Sequence, residues 1–525
     1  MRSRPRSATS RHAARRRAAG ACALLLVGLA SAPAVGQTVG GAWGQVHGDG
    51  AHAGWVSDGV APPYREAWRF DPGLTGRFGV SAPVIAGDVV WTVAPRAVHG
   101  VDLASGEATS TVPRAYGPSA APAVASGPGG EVLIYTEGYG ADPPEEAFPS
   151  ATPTTSATSA TSATPTTSAS PTTSASPSAS PSATGTQDAD APTESRVAAF
   201  DLATQDPVWD APVELQAVSR TGVTVDGATA YVGDDDGIVT AIDTATGEVR
   251  WTFEAPGPIS TAIAAAEGSV VLSTQPREDS TSAVIALDAA DGAETWRFEG
   301  SGPFLASSPV IAGDIVILGF LDATGSNELR ALALEDGAER WAKPVNALIH
   351  LAPPIVTPEA IYAIDVSGQV HASSPISGAE SWDHALNTLT PRGGALSGTT
   401  LLVPTNLGSL LAIDTRTHDL VARAAASGPQ GYVGALAVTS SLVVAVKGGH
   451  HPGLVAFEHD DGTGLFSVPS PTVLTPGIMV ANFAIAAVPM VLLLGLAGRR
   501  LGRRLGPAFA DDDLDGSEGV PVEEG

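Results

Sequence analysis

Only a few side chains in this sequence have the types and spacing that chemistry at a protein site requires. Asp234, Asp235 and Asp236 are consecutive between glycines, and His450 and His451 are adjacent in a Gly-rich stretch. Calcium needs six to eight oxygens at spaced positions, and consecutive aspartates in a tight turn point in different directions, so we interpret them as a solvated hairpin loop. Adjacent histidines rarely bind one ion, and no third ligand is apparent. The sequence therefore indicates no metal site.

Motifs of the common enzyme classes are also missing from the sequence. It contains no G-x-S-x-G, no P-loop and no H-E-x-x-H. The sole cysteine, Cys22, excludes an intrachain disulfide and a cysteine-based metal site. A catalytic triad assembled from distant parts of the chain stays open, because its members meet in space and not in sequence. We expect a protein that is not an enzyme and that has no catalytic residue, cofactor or metal.

The elements that must position any site come from a repeat. The stretch at 241–253, A-I-D-T-A-T-G-E-V-R-W-T-F, recurs most clearly at 286–298. Aligned on its glycine, eight copies fall at positions 106, 205, 247, 292, 337, 378, 418 and 462, with a period of 40 to 45 residues after a first step of 99. Each unit reads as four short strands rich in β-branched residues, with Gly, Asp and Pro at the turns. This pattern predicts an all-β, eight-bladed β-propeller of four-stranded antiparallel blades.

The pattern A-x-D-x-x-x-G-x-x-x-W in these copies resembles the tryptophan-docking motif of the PQQ-binding-like β-propeller family, which includes BamB-like and quinoprotein-like propellers. The resemblance covers about residues 43–466, and it implies that each Trp packs between adjacent blades. The docking residues that it implies are Trp68, Trp209, Trp251, Trp296, Trp341, Trp382, Gly247, Gly292 and Gly337. We expect Trp251, Trp296 and Trp341 to be buried, since they recur at one offset from the repeat glycine.

The repeat also predicts how the ring closes. Ser110 and Ala422 stand at Trp positions, and Phe466 replaces another Trp in the last unit. Residues 66–70 contain a W-x-F copy that precedes the first blade. Because a closed propeller leaves no exposed extra strand, we predict that 66–70 form the outer strand of the last blade, beside 454–458. Phe466 is the alternative residue for that strand.

The family resemblance also implies an enzymatic alternative. Family enzymes sandwich the quinone between a disulfide of adjacent cysteines and a Trp, with calcium nearby, and this chain has one cysteine. The function that we predict is a membrane-anchored extracytoplasmic binding or scaffold module for cell-envelope proteins or ligands. The alternative is a quinone-dependent (PQQ) oxidoreductase or cofactor-binding propeller.

The two chain ends indicate export and anchoring. Residues 1–34 have an Arg-rich start, an apolar core and an A-x-A site, which predicts a signal peptide. Residues 476–498 include an uncharged apolar run long enough to span a bilayer, and arginines follow it, which places the C-terminus in the cytoplasm and the propeller outside the plasma membrane. The other predicted divisions are a segment leading into the propeller at 35–65, the propeller at 66–468, a stalk at 469–475 and a basic then acidic tail at 499–525.

Composition defines one insertion and restricts the partners. Residues 141–195 are rich in Ser, Thr, Pro and Ala and predict a disordered insertion in the second blade. This insertion is either a bare linker or an O-glycosylated one. The net charge of −27 argues against nucleic acid as a partner. The expected partners are the membrane, through the C-terminal helix, and an envelope protein or cell-wall component.

Overall fold

The computed structural model describes residues 43–74, 79–139, 194–276, 282–300, 302–347, 349, 353–390, 393–426, 433–449 and 451–462. These residues form eight sheets. Each sheet is a blade of at least four strands, so the eight-bladed all-β propeller predicted from the repeats is confirmed.

The strands follow one another blade by blade along the chain. Two strands precede the first blade: β1 (Trp55–Val56) and β2 (Tyr64–Phe70). Blades 1 to 3 contain β3 (Val84–Ala86), β4 (Val89–Ala94), β5 (Ala97–Asp102), β6 (Ala108–Pro113), β7 (Ala123–Ser126), β8 (Glu131–Tyr139), β9 (Glu194–Asp201), β10 (Val213–Glu214), β11 (Thr224–Asp226), β12 (Thr229–Gly233), β13 (Ile238–Asp243) and β14 (Val249–Glu254). Blades 4 and 5 contain β15 (Ala264–Ala266), β16 (Ser269–Ser273), β17 (Val284–Asp288), β18 (Glu294–Phe298), β19 (Phe304–Ala306), β20 (Val310–Ala312), β21 (Ile315–Asp322), β22 (Asn327–Ala333) and β23 (Glu339–Val345). Blades 6 to 8 contain β24 (Ile355–Val356), β25 (Ile361–Ile364), β26 (Gln369–Ser373), β27 (Glu380–Ala385), β28 (Ala395–Ser397), β29 (Thr400–Pro404), β30 (Ser409–Asp414), β31 (Leu420–Ala425), β32 (Val433–Val438), β33 (Leu442–Lys447) and β34 (Gly453–His459).

Each residue of the repeat motif has a structural reason in the hairpin between the third and fourth strands. In blade 3, Ala241 pairs with Trp251, so a small residue lies opposite the large indole. Asp243 caps the turn, because its Oδ1 accepts the backbone N–H groups of Ala245 and Thr246 at 2.9 and 3.0 Å. Gly247 follows with φ 75°, a left-handed conformation that glycine adopts without steric cost. The motif is therefore the sequence of one tight, bulged hairpin.

The ring closes through the N-terminal strand, as predicted. β2 pairs antiparallel with β34, and Trp68 lies opposite Ala456 in the same relation as in the other blades. Arg65 Nε contacts Glu458 Oε1 at 2.9 Å across this pair. The fourth strand of blade 8 thus comes from the other end of the propeller sequence, and the predicted clasp is confirmed. Phe466 lies outside the described residues.

Two blades differ from the common plan. In blade 5, β19 adds a strand by pairing with β21, and in blade 7, β1 adds a strand by pairing in parallel with β28.

The insertion interrupts the hairpin between the second and third strands of blade 2. Glu194 and Ser195 belong to β9 and pair with Tyr139 and Gly138. The predicted bounds of 141–195 are therefore wrong by two residues at the C-terminal end, because these two residues complete the strand ladder.

No helix among the described residues is long and apolar enough to cross a membrane. The predicted signal peptide at 1–34, the stalk at 469–475, the spanning segment at 476–498 and the tail at 499–525 all lie outside the described residues.

Candidate functional site

The axis of the ring is occupied by the chain's own residues 43–56. The backbone of this segment passes the innermost strands of blades 1 to 7 in order. In each of these blades, the backbone N–H of one equivalent residue donates to an oxygen of the segment. We call residues 43–56 the axial segment.

These contacts form one set of short hydrogen bonds at the middle of the innermost strands. Six of them end on backbone carbonyls: Ile85 N to Trp43 O at 2.7 Å, Val124 N to Gly44 O at 2.7 Å, Ala265 N to Gly50 O at 2.7 Å, Ile311 N to Ala51 O at 3.0 Å, Val356 N to Ala53 O at 3.0 Å and Leu396 N to Gly54 O at 2.9 Å. In blade 3 a side chain takes this role. Gln45 Oε1 accepts from Val225 N at 2.8 Å, and Gln45 Nε2 donates to Val225 O at 3.0 Å. The axial segment therefore satisfies inner-edge amides that would otherwise face the channel.

The close approach of the inner strands explains why residue 50 of the axial segment is a glycine. A Cβ atom added to Gly50 would lie 2.6 Å from Ala265 O and 2.8 Å from Val225 O. No side chain fits between these two inner strands. The residues that do carry large side chains, such as Trp43 at 1% exposure, are packed among the blades.

Three titratable side chains lie together on the axial segment. Asp49 Oδ1 accepts from Ala53 N at 3.1 Å, and the ring nitrogen Nδ1 of His52 lies 3.2 Å from Pro309 O. Because Pro309 O can only accept, His52 donates from Nδ1 in this contact. Among the described residues, no hydrogen-bond partner faces the buried Nδ1 of His47.

Burial sets the ionisation of this group. It raises the pKa of Asp49 to about 7, against the lowering effect of three backbone N–H groups. It lowers the pKa of His47 to about 3, with a further contribution from His52, and the pKa of His52 to about 4. Burial disfavours the charged form of each group. Near neutral pH both imidazoles are therefore uncharged.

The chemistry available on the axis is titration and backbone hydrogen bonding. Within the described ranges, no cluster of three or more His, Cys, Asp or Glu side chains could hold a metal ion. The sequence predicted residues 35–65 as a segment leading into a propeller at 66–468. It gave 43–56 no place inside the ring, because the bonds of the axial segment are made almost wholly by backbone carbonyls. Its only sequence signal is the density of glycine and small residues in 44–54.

The tryptophans predicted to dock blades lie at the junctions between blades. The glycine of the next blade receives the indole, so that an added Cβ at Gly247, Gly292 or Gly337 would lie 2.5 to 2.7 Å from ring atoms of Trp209, Trp251 or Trp296. In five of these tryptophans the indole N–H also donates to a backbone oxygen three residues before the glycine. These bonds are Trp68 to Leu103 O at 2.8 Å, Trp209 to Thr244 O at 3.0 Å, Trp251 to Ala289 O at 3.0 Å, Trp296 to Leu334 O at 2.6 Å and Trp341 to Pro375 O at 3.0 Å.

Two of these tryptophans differ from the expectation. Trp251 and Trp296 are buried, but Trp341 is only partly buried, so the prediction that all three are buried is wrong for Trp341. The indole of Trp341 lies on the outermost strand and is covered by the turn of the next blade, which leaves part of it in solvent. Trp382 stacks on the imidazole of His418, with ring centroids 4.7 Å apart, because His418 stands at the glycine position.

At the junction between blades 1 and 2 the docking position holds no tryptophan. Trp91 packs on Phe200 there, with ring centroids 5.5 Å apart, and a buried arginine bridges the two blades. Ser110 stands at the Trp position, and Arg114 donates to Ala94 O at 2.8 Å and to Thr136 O at 2.5 Å. Burial lowers the pKa of Arg114 to about 10, while the nearby Glu137 opposes this shift. No sequence motif marks Arg114, so it was not predicted.

The aspartate and histidine candidates are not brought into a site. Asp234 is buried, at 1% exposure, and its Oδ1 accepts from Asp236 N at 3.1 Å and Ile238 N at 2.9 Å. The interpretation of all three aspartates as solvated is therefore wrong for Asp234, whose carboxylate holds the turn from inside. His451 is exposed, with Nδ1 3.7 Å from Asp71 Oδ2, and His450 lies outside the described residues.

A closed ring of blades in which a Trp of one blade packs on a Gly of the next is a propeller of the PQQ-like repeat class. Residues 193–350 and 366–502 match the family described as outer membrane protein assembly factor BamB. The match covers more than half of the chain, so the chain belongs to this family, and the resemblance inferred from the repeats is confirmed. No curated protein sequence is detectably similar to the chain.

Solved structures similar to the chain include a BamB protein and two quinohemoprotein alcohol dehydrogenases. BamB from Moraxella catarrhalis is 13% identical, with a TM-score of 0.47, and the match covers 72% of this chain and 96% of that chain. Quinohemoprotein alcohol dehydrogenase ADHIIG from Pseudomonas putida HK5 is 12% identical, with a TM-score of 0.54 and coverage of 83% and 82%. Quinohemoprotein alcohol dehydrogenase from Comamonas testosteroni is 12% identical, with a TM-score of 0.53 and the same coverage. At these identities the likeness concerns the fold alone.

Proposed function

We propose that this chain is a membrane-anchored extracytoplasmic propeller that acts as a non-catalytic binding or scaffold module for cell-envelope proteins or ligands. The observation that carries the proposal is the axial segment. Its carbonyls accept from the innermost strands of seven blades, so the axis is filled by the protein itself. The loops and outer strands of the blades then provide the surface for a partner, as is usual for connecting segments on a rigid scaffold.

A quinone cofactor does not fit the residues present. The family resemblance implies a quinone held against a disulfide of adjacent cysteines, and the only cysteine of the chain is Cys22. The axis at the level of the inner strands also contains buried Trp43 and the backbone of 44–54. The proposed function therefore uses no cofactor and no redox step.

Anchoring and location are part of the proposal and rest on sequence. The signal at 1–34 and the apolar run at 476–498 with its following arginines support a single-pass plasma-membrane protein with the propeller outside. Protease added to intact cells, after removal of any cell wall, should digest the propeller and spare an epitope placed after 498. Protection of the propeller would contradict this topology.

A reconstitution experiment separates the scaffold from the enzyme. Purified full-length protein is incubated with PQQ and calcium and then passed through gel filtration, and the quinone absorbance of the protein peak is measured. We expect no retained quinone. Stoichiometric retention together with alcohol-dependent dye reduction would overturn the non-catalytic function.

A second experiment addresses binding directly. A photo-crosslinking amino acid replaces an exposed turn residue on each face of the ring, Thr246 or Thr324, in the full chain in its native membrane. We expect a discrete adduct with an envelope component from one face and not from the other. Adducts from neither position would contradict a scaffold role for these faces.

A further inference from the structure

Blade 5 carries an extension that forms one side of a small pocket open to solvent. β21 has eight residues and β22 has seven, and β19 pairs with the end of β21 through Phe304 and Asp322. Together with Phe298 from the end of blade 4, this extension lines a cavity of about 120 Å³. We call it the blade 5 pocket.

Aromatic rings form the wall of the blade 5 pocket. The ring centroids of Phe304 and Phe320 are 5.0 Å apart, and those of Phe298 and Phe320 are 5.9 Å apart. The guanidinium of Arg330 lies over two of the rings, with Cζ 5.1 Å from the centroid of Phe320 and 5.6 Å from that of Phe298. These contacts hold the rings in place, so the pocket exists before any ligand arrives.

The rim of the pocket is acidic. Arg330 is paired with two carboxylates, Glu328 at 2.5 Å and Glu339 at 3.1 Å, so its charge is already neutralised. Asp322 lies at the mouth, and hydrogen bonds, led by that from the Thr324 hydroxyl, lower the pKa of its carboxyl group. The lining residues with their partner Glu339 therefore carry more negative than positive charge at neutral pH.

The volume of the blade 5 pocket limits the size of the ligand that it can bind. Small-molecule sites usually measure about 300–1,000 Å³, whereas a cavity of about 150 Å³ lined by apolar side chains holds one benzene ring. The blade 5 pocket therefore fits one apolar side chain and not a whole metabolite. Buried apolar anchors of this kind are typical of the centre of a protein–protein contact.

We propose that the blade 5 pocket binds a single leucine-sized side chain of an extended partner segment, with a basic residue of that segment beside the acidic rim. The pocket supplies the apolar anchor site, and the Asp322 carboxylate selects the flanking charge by complementarity. This inference rests on the proposed binding function and names the partner class: a protein segment in which leucine is flanked by lysine or arginine.

The probe is a short peptide, acetyl-Lys-photoleucine-Arg-amide, cross-linked to the full chain by light and mapped by mass spectrometry. We expect labelling of residues that line the pocket, such as Phe304, Phe320 and Ala323. Replacing both basic residues of the peptide by Glu should lower this labelling about threefold or more, the order expected for an exposed ion pair. Unlabelled acetyl-Lys-Leu-Arg-amide should compete about tenfold better than the Lys-Ala-Arg peptide, because alanine buries less apolar surface.

Blocking variants test the location. Thr324→Trp places an indole at the mouth on an exposed turn, and Ala323→Trp is a second blocking variant if the first alters the melting temperature. Thr246→Trp on the exposed turn of blade 3 is the matched control, since both threonines make one hydrogen bond within their turn. We expect the blocking variants to lose pocket labelling and the control to keep it.

Three results would overturn the pocket assignment: labelling spread over other blades, equal labelling by the acidic peptide, or full labelling of both blocking variants. The outcome is separable from the scaffold function. If envelope adducts persist in the native membrane while the peptide fails to label the pocket, the pocket inference falls and the scaffold function stands. If quinone is retained and turned over, the scaffold function falls whatever the peptide does.

Discussion

The axial segment predicts that Gln45 is the side chain on which the inner ring most depends. Its amide bonds both backbone groups of Val225, accepting at 2.8 Å and donating at 3.0 Å. Gln45→Ala removes both bonds and leaves two buried backbone groups without their partners. Each buried polar group left without a hydrogen-bond partner costs about 1–3 kcal/mol. The free energy of unfolding should therefore fall by about 2–6 kcal/mol, towards the lower end if a water molecule enters the space.

Gln45→Glu provides a sharper form of the same test. An ionised carboxylate at this position would keep the acceptor for Val225 N but place a second oxygen against Val225 O, so the variant should be strongly destabilised at pH 8. A protonated carboxyl group has one O–H donor and one acceptor, as the amide does. The stability difference from the wild type should therefore shrink as the pH falls.

Urea unfolding followed by tryptophan fluorescence measures these differences, with the slope checked for constancy. The matched control is Gln369→Ala, whose amide donates to Asp383 Oδ2 at 2.6 Å at the surface. That control should change the free energy of unfolding by less than about 0.5 kcal/mol. An effect of Gln45→Ala no larger than that of the control, or a Gln45→Glu difference that is independent of pH, would refute the role of this side chain.

Three further outcomes are expected from the same unfolding assay. Trp296→Ala should cost about 3–5 kcal/mol, the usual range for a buried Trp, since it also leaves Leu334 O without its donor; an unchanged midpoint contradicts the docking role. Folding lowers the pKa of His47 to about 3, so protonation of His47 favours the unfolded chain as the pH falls from about 6.5 towards 3. In that window the free energy of unfolding should decrease by about 1.4 kcal/mol less per pH unit in His47→Asn than in the wild type. An unaltered pH profile contradicts this. Deleting 151–186 should leave the melting temperature nearly unchanged, because loop length enters stability only logarithmically, and loss of folding would show that the segment is structural.

The repeat was readable from sequence because each blade builds the same hairpin from the same few residues. Ala opposite Trp, Asp capping the turn and Gly in the left-handed region are local requirements, so they recur at a fixed spacing. The clasp was predictable for the same reason, since Trp68 is a copy of a local pattern even though its partner strand lies at the far end of the propeller.

The position of the axial segment and the role of Arg114 could not be predicted from the sequence in this way. The axial segment offers backbone carbonyls to amides of six blades and the Gln45 side chain to the seventh, and backbone carbonyls carry no residue identity. Arg114 also donates its hydrogen bonds to backbone oxygens. A sequence pattern reports side chains that repeat, whereas the axial bonds repeat from blade to blade almost wholly between backbone groups, and the Arg114 contacts belong to one junction. The blade 5 pocket left a weak signal, three Phe residues within 298–320, but only the extra pairing of β19 brings the rings together.

The position of the axial segment also constrains how the ring forms. Residues 43–56 contact blades 1 to 7 at the axis, and β2 directly afterwards completes blade 8 at the rim. The clasp joins residues 393 positions apart, as Arg65 and Glu458 do. The entropy of closing so long a loop opposes these contacts until the intervening blades have folded. We therefore expect β2 to pair with β34 after the blades have stacked, with the axial segment already between them. Axis and rim are thus closed by one continuous stretch of chain, and a partner that binds this propeller meets a ring whose centre is already filled.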